Sequence, residues 1–423
     1  MATVRAQVAR EWLHLSAEGL ARRWADPRWL RFAATAILAC AAALWVAGFL
    51  GQRARGWTGA TLGGDYAAFW IAGRIHAQAP AELYDRALQS RLYHELFAGE
   101  PPDVYLPFAN PPFVAAFFSL LGGLPYAASY AVWSAISLAL YVGGILLALS
   151  TCKAMPAPTR RLAMLLALAF EPFVIETFHG GQLTSLGVFA VGLFLWLGHR
   201  DRPWIAGAAL ALLLYKPTLL VWIGPAMVLT GQWRMLAGFG LGAAALTCAS
   251  VVLAGWPACV AYGQNLLHYA RWATESEAVF RTWKFVDVNS FCRLLGAPAL
   301  GPVALAACGA CVAAWMWRHR AQPQRVFAMA VLATPIINLY VGIYDMALAV
   351  PALLALAGDR PGPLPRRVTA LIALVYAAPW VTQHLAAAVG AQIITPLAVL
   401  AVARLALPAD PPTARDSAPA PAR

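Results

Sequence analysis

The sequence predicts an all-α integral membrane protein. It reads as a polytopic bundle of about twelve transmembrane or half-membrane helices plus a re-entrant segment, with two long outside loops. Three observations carry that reading. Hydrophobic residues make up 61% of the 423-residue chain and charged residues only 12%, whereas a soluble domain carries roughly 25% charged residues. Long apolar runs recur from Arg31 onward, each closed by a short charged or Pro/Gly-rich break. The sequence shows no strand alternation of the outer-membrane-barrel kind. About 20 apolar residues in a helix cross ~30 Å of hydrocarbon, and lipid offers backbone groups no partner but one another.

Residues 1–30 are expected to be a cytoplasmic leader, too charged for the apolar core of a signal peptide. Val4, Val8, Trp12, Leu15 and Leu20 stand against Arg5, Arg10, Glu11 and Glu18. The pattern is that of an interfacial amphipathic helix, with a solvated basic leader as the alternative. The membrane unit runs over 31–407, and the Pro/Ala-rich tail 408–423 reads as disordered and cytoplasmic. Spans are expected near 31–50, 125–150, 162–178, 182–198, 235–255, 298–317, 326–340, 342–357, 368–386 and 391–407. Segments 204–215 and 217–230 are too short to cross and meet at Lys216-Pro217, where proline interrupts a helix. They read as a hairpin or broken pair. Phe113–Leu121, after Asn110-Pro111-Pro112, is also too short and reads as re-entrant. Loops 51–112 and 256–297 have the length that usually goes with function.

Charge sets the orientation. With the N-terminus in the cytoplasm, 21 of the 31 Lys and Arg residues fall inside. Nine fall in the two long outside loops, where the positive-inside rule is weak, and Lys216 sits at depth. The short outside turns hold none. The net charge of +12 is therefore a topology signal and a match to anionic membrane lipids, not a nucleic-acid footprint. An Ala/Arg-rich, Lys-poor chain suggests a bacterium with GC-rich DNA. The expected location is the inner (plasma) membrane, with both termini cytoplasmic and the working face periplasmic. Of seven cysteines, five lie in or beside spans and serve as small apolar residues. Cys259 and Cys292 share the second loop, where a disulfide and two free thiols are both open readings. No His/Asp cluster has metal-ligand spacing, so neither metal nor cofactor is invoked.

The candidate site residues come from the outside segments. Gly63-Gly64-Asp65-Tyr66 opens the first loop, and its glycines permit a sharp turn. Asp65 is either a functional carboxylate or an N-cap. Tyr84-Asp85 and the run from Tyr105 to Pro112, with Asn110 inside it, form a rigid approach to the re-entrant piece. His179-Gly180-Gly181-Gln182 is a tight turn between two spans. Glu171 and Glu176 precede that turn. Glu171 suits a polar cavity at depth, and Glu176 suits snorkelling to the interface. Lys216, Asn289, Tyr340 and Asp345 map to the same side, with Asp345 read as a site residue or a cap. The convergence suggests a polar cavity open to the outside and to the bilayer, which suits a lipid-linked substrate.

These motifs, in this order, resemble the polyprenol-phosphate-sugar-dependent glycosyltransferases of family 87, within the GT-C superfamily. The matching pieces are Gly64-Asp65-Tyr66, Leu83-Tyr84-Asp85 and the aromatic-Asn-Pro-Pro run at 108–112. Gly181-Gln182, Ala206-Gly207 with Lys216-Pro217, Asn289-Ser290, and Thr334-Pro335 with Tyr344-Asp345 follow. The resemblance implies a GT-C fold and inverting transfer of a hexose, with mannose among the candidates, from a polyprenyl-phosphate sugar donor. The acceptor would be a lipid or glycan on the non-cytoplasmic face. It implies Asp65 as the general base, with Tyr66, Tyr84, Asp85, Asn110, His179, Gln182, Lys216, Asn289, Tyr340 and Asp345 around the substrates. Lys216, Arg271, Arg281 and Lys284 are the cations available to a departing phosphate. Mannosyltransferases of the family carry histidine in the stretch corresponding to 334–345, where this chain has Asn338, Tyr340 and Tyr344.

Two other classes compete. A lipid-linked sugar transporter or flippase would favour mirrored broken helices in both halves of the chain, and none is visible. A non-catalytic envelope-polysaccharide assembly protein would not need Asp65.

Overall fold

The computed structural model describes residues 26–50, 63–98, 105–275, 282–358 and 366–406. Most of the leader, the tail and Arg281 lie outside these residues. The described residues are helical, and their only bridge of strand type joins Phe285 to Gly342.

Four helices are long and apolar enough to cross a membrane: Pro27–Phe49, Tyr126–Thr151, Trp233–His268 and Leu300–Arg318. The number is six if two bent pairs each count as one, Ala157–Leu168 with Pro172–His179 and Val368–Ala377 with Pro379–Val389. That is fewer full crossings than the apolar runs suggest. The reason is local: Pro172, Pro217 and Pro379 each stand where a helix restarts after a break. The piece 172–179 is a π-helix, and 334–342 is irregular rather than the end of a span. The remaining segments are apolar helices of 10–17 residues, including the broken pair and Pro112–Gly122.

We name the helices that position the site. α1 is Pro27–Leu50, α2 Tyr66–Gln78, α3 Arg86–Leu96, α4 Pro112–Gly122, α5 Tyr126–Thr151, α6 Ala157–Leu168 and α7 Thr184–Gly198. α8 is Pro203–Leu210, α9 Ile223–Leu229 and α10 Trp233–Glu275. α5 runs along α7, and a Cβ on Gly192 would lie 2.2 Å from the Gly144 carbonyl oxygen. Only glycine allows that approach, as is common where helices pack in lipid without a hydrophobic driving force. α2 lies in the first loop yet is largely buried, held against α4, with Trp70 donating to the Leu124 carbonyl at 3.1 Å.

The second loop differs from the expectation. α10 does not stop near residue 255 but resumes after a kink and runs to Glu275. Gly255 takes the non-helical φ of 84°, and Pro257 then sits in the first turn of the resumed helix, where its missing N–H costs least. Beyond it, 285–288 forms a strap. Val286 donates to Val341 and Val288 to Ile336, each at 2.9 Å, while Gln392 and Thr395 donate to the carbonyls of Phe285 and Val286. The cysteines are free thiols, so the Cys259–Cys292 pairing is not made. Cys292 lies instead beside Cys308, and Cys259 beside Tyr84.

Candidate active site

Two glycine turns build the site. The Tyr66 amide donates to the carbonyls of Gly63 (2.7 Å) and Gly180 (3.2 Å), so the first loop rests on the turn between the π-helix and α7. Gly181 has φ +75°, and a Cβ there would lie 2.5 Å from the Tyr66 Cβ. α5 holds the same turn from behind. Tyr130 donates to the His179 carbonyl at 2.8 Å and Trp133 to the Gly181 carbonyl at 3.0 Å. The result places Gln182 against Asp65, and the Gln182 amide donates to the Asp65 carboxylate. The Asp65 side chain makes no capping bond to α2, so the N-cap reading does not describe it.

Two residues on, Thr184 donates to Asp345 Oδ1 at 3.2 Å, and Lys216 Nζ pairs with Asp345 Oδ2. Asp345 is fully buried, while 22% of the Lys216 side chain is exposed. The cap reading fails here too, because the carboxylate is committed to an ion pair. Lys216 breaks the helix between two 3₁₀ turns, 211–215 and 217–220, with φ −143° and ψ 86°, and lies 4.9 Å from the Tyr344 ring centre. Tyr344 lies within electrostatic reach of Asp345, Asp65 and Glu176. Asn110 donates to the Tyr215 carbonyl at 2.8 Å, next to Lys216, and Tyr84 donates to the Asn110 carbonyl at 2.6 Å. Burial pushes the Tyr84 phenol well up, so it stays a neutral donor.

Asp65, Gln182, Asp345, Lys216, Asn110 and Tyr84 thus form one connected set. Other candidates stand apart from it. Tyr66 is fully buried, its phenol pushed up to about 12 by burial and bonded to Ser129 at 2.5 Å. Asp85 caps α3, accepting from Ala87 (2.8 Å) and Leu88 (3.1 Å). His179 faces Ala41 of α1, and Asn289 packs on Gly301. Tyr340 adopts φ +54°, rare for a bulky residue, with its ring 5.9 Å from that of Phe285.

Two groups near the site differ from their sequence reading. Glu176 does not snorkel; it pairs with Lys284 at 2.9 Å, so Lys284 is a latch on the strap. Glu171 is 4% exposed, and Gln383 donates to both glutamates. Sequence reasoning missed Thr184, Gln383 and Asp287. Asp287 accepts from Ser290 N and Oγ, both at 2.8 Å, and from Val341 N at 3.1 Å. Burial raises its carboxyl above the ordinary value, against the pull of those bonds. The signal for Thr184 was its place two residues after Gln182 in one turn. Asp287 gave the analogous signal just before Asn289.

The sequence model of glycosyltransferase family 87 matches residues 108–339, more than half of the chain. The chain belongs to glycosyltransferase family 87. Within this family 87 chain the matched stretch holds Asn110, Gln182, Lys216 and the strap, while Asp65 and Asp345 lie outside it. A polyprenol-phosphate-mannose-dependent α-(1-2)-phosphatidylinositol pentamannoside mannosyltransferase of Mycobacterium tuberculosis is 29% identical over 119 residues. The aligned part is 27% of the family 87 chain and 27% of that relative's length. No solved structure matches.

Proposed function

We propose that this protein is a membrane glycosyltransferase that moves a hexose from a polyprenyl-phosphate sugar to a lipid or glycan acceptor. Transfer takes place on the periplasmic face of a bacterial inner membrane and inverts the anomeric centre. The observation that carries the proposal is the Asp65–Gln182 contact beside the Lys216–Asp345 pair. A carboxylate that caps nothing and receives a side-chain amide is oriented, and an oriented carboxylate can take a proton.

In the reaction, Asp65 accepts the acceptor hydroxyl proton as that oxygen attacks the anomeric carbon. The bond from that carbon to the phosphate oxygen breaks, and polyprenyl phosphate leaves with the electron pair. A phosphate needs no acid to depart but gains from nearby positive charge. Lys216 supplies it, since an ammonium has three donors and Asp345 occupies one. One inverting displacement needs one essential carboxylate, unlike the paired carboxylates of glycosidases. The mannose donor is suggested by the relative's activity and by its 29% identity over the aligned part.

The test uses purified protein with polyprenyl-phosphate-mannose and a membrane lipid extract. Asp65→Asn should abolish transfer while leaving donor binding; wild-type activity in that variant removes Asp65 as the base. For the face, a cysteine introduced at position 275 should react with an impermeant thiol reagent from outside. Reaction only from inside overturns the orientation.

A further inference from the structure

A second recess lies at Tyr84, one end of the set of residues described above. It is an open cleft of about 590 Å³ between the 3₁₀ turn Pro80–Glu82 with the start of α3 and the part of α10 beyond the kink. That volume falls within the about 300–1,000 Å³ usual for small-molecule sites. Glu82, Tyr84 and Arg86 line one wall, and Gln264, Asn265 and His268 line the other. Arg86 reaches across to Asn265 Oδ1 at a long 3.4 Å, and the Tyr84 ring lies 5.9 Å from that of Tyr262.

The α10 extension supplies the second wall. Gln264, Asn265 and His268 recur at helical spacing along the cleft. Asn265 is half-buried, whereas Gln264 and His268 are exposed at the cleft mouth and open to a ligand. Trp256 and Leu267 of the same stretch are also exposed, Leu267 by 74%.

Its chemistry suits a neutral sugar. The walls offer two side-chain amides and an imidazole, which match hydroxyl-rich ligands. Charge argues against a phosphate, because Arg86 stands beside two carboxylates, Glu82 and Asp85. The position suits the acceptor. Tyr84 lines the cleft, and its hydroxyl bonds Asn110, which bonds the residue before Lys216. We infer that this cleft binds a neutral saccharide moiety of the acceptor and delivers its reacting hydroxyl toward Asp65. The inference rests on the glycosyl-transfer reading above.

The test uses full-length protein in lipid nanodiscs free of glycoside detergents. The probes are octyl mannoside, octyl glucoside and octyl galactoside, with polyprenyl-phosphate-mannose as donor. Gln264→Leu and Asn265→Leu should raise the KM of whichever octyl hexoside serves as acceptor about tenfold or more, the scale of one lost polar contact. The kcat and the donor KM should stay within about twofold. An unchanged acceptor KM, or an equal rise in donor KM, overturns the inference and leaves the transferase reading intact. If the wild type transfers no sugar, that reading fails, and equilibrium binding of the octyl hexosides decides the cleft. Binding by the wild type and by Asp65→Asn but not by the Leu variants upholds it; no binding, or equal binding by all, overturns it. Unchanged melting temperatures exclude misfolding, and His268→Ala serves as a second, smaller change.

Discussion

Gln182 donates its side-chain amide to the Asp65 carboxylate across 117 residues of chain. The contact exists because two glycine turns meet backbone to backbone, with Tyr66 N bonded to the carbonyls of Gly63 and Gly180. A hydrogen bond to a charged group is worth about 1.5–3 kcal/mol. Gln182→Leu should therefore lower kcat by about 10- to 100-fold, because the base loses its orientation. Donor KM should change little. Gln182→Glu should do worse, since it sets a second carboxylate against Asp65. Steady-state kinetics on the two variants checks both statements, and an unchanged kcat in Gln182→Leu would leave the contact without a catalytic role.

Gly181 is the hinge pin of the same arrangement. Its φ is +75°, and its missing Cβ leaves room for Tyr66. Gly181→Ala should cost about 1–3 kcal/mol in stability, from strain and from pushing the two turns apart. Activity should fall further than stability alone explains, because Gln182 follows directly. Gly123 has open space around it, and Gly123→Ala should be nearly silent in the same melting and activity assays.

The broken pair at Lys216-Pro217 is legible in the sequence, because proline forbids the continuous helix and the flanks are too short to cross. The turn at Gly63-Gly64 is legible for a similar local reason. Which partner each turn meets is not. Nothing in residues 181–184 announces that Gln182 reaches Asp65 while Thr184 reaches Asp345, because both contacts are long-range. The α10 extension is hidden by Gly255-Trp256-Pro257, which reads as an end although proline in a first turn permits a restart. Hydropathy also overcounts crossings at 326–340. The apolar residues at 326–333 form a short buried helix, and those at 334–340 an irregular stretch next to the strap, so neither makes a span.

Lys284 ties that strap to the bundle through Glu176, with both carboxylate oxygens within 3.2 Å. Lys284→Ala should leave Glu176 with only the Gln383 amide. A partly buried charge that loses its partner costs about 1–3 kcal/mol. Hydrogen exchange at Val286 and Val288, whose amides hold the strap to 336–341, should accelerate locally by about 5- to 100-fold. Lys284→Arg should restore most of the protection. Unchanged exchange in Lys284→Ala would mean that the Val286 and Val288 bonds hold the strap alone.

Lys216 and Asp345 separate structure from chemistry most sharply. The pair is buried on the Asp345 side and open on the Lys216 side. Removing one partner of a buried pair strands the other and costs about 3–5 kcal/mol, whereas replacing both with apolar residues is often close to neutral. Lys216→Met and Asp345→Leu should each destabilise the protein strongly, Lys216→Met more so because it leaves the buried carboxylate behind. The double variant should recover much of the melting temperature. It should not recover transfer, because the cation facing the departing phosphate is gone. Lys216→Arg, which keeps the charge, should retain measurable activity with a raised donor KM. If the double variant recovers both stability and kcat, Lys216 is a structural lysine and the phosphate must be met by another cation.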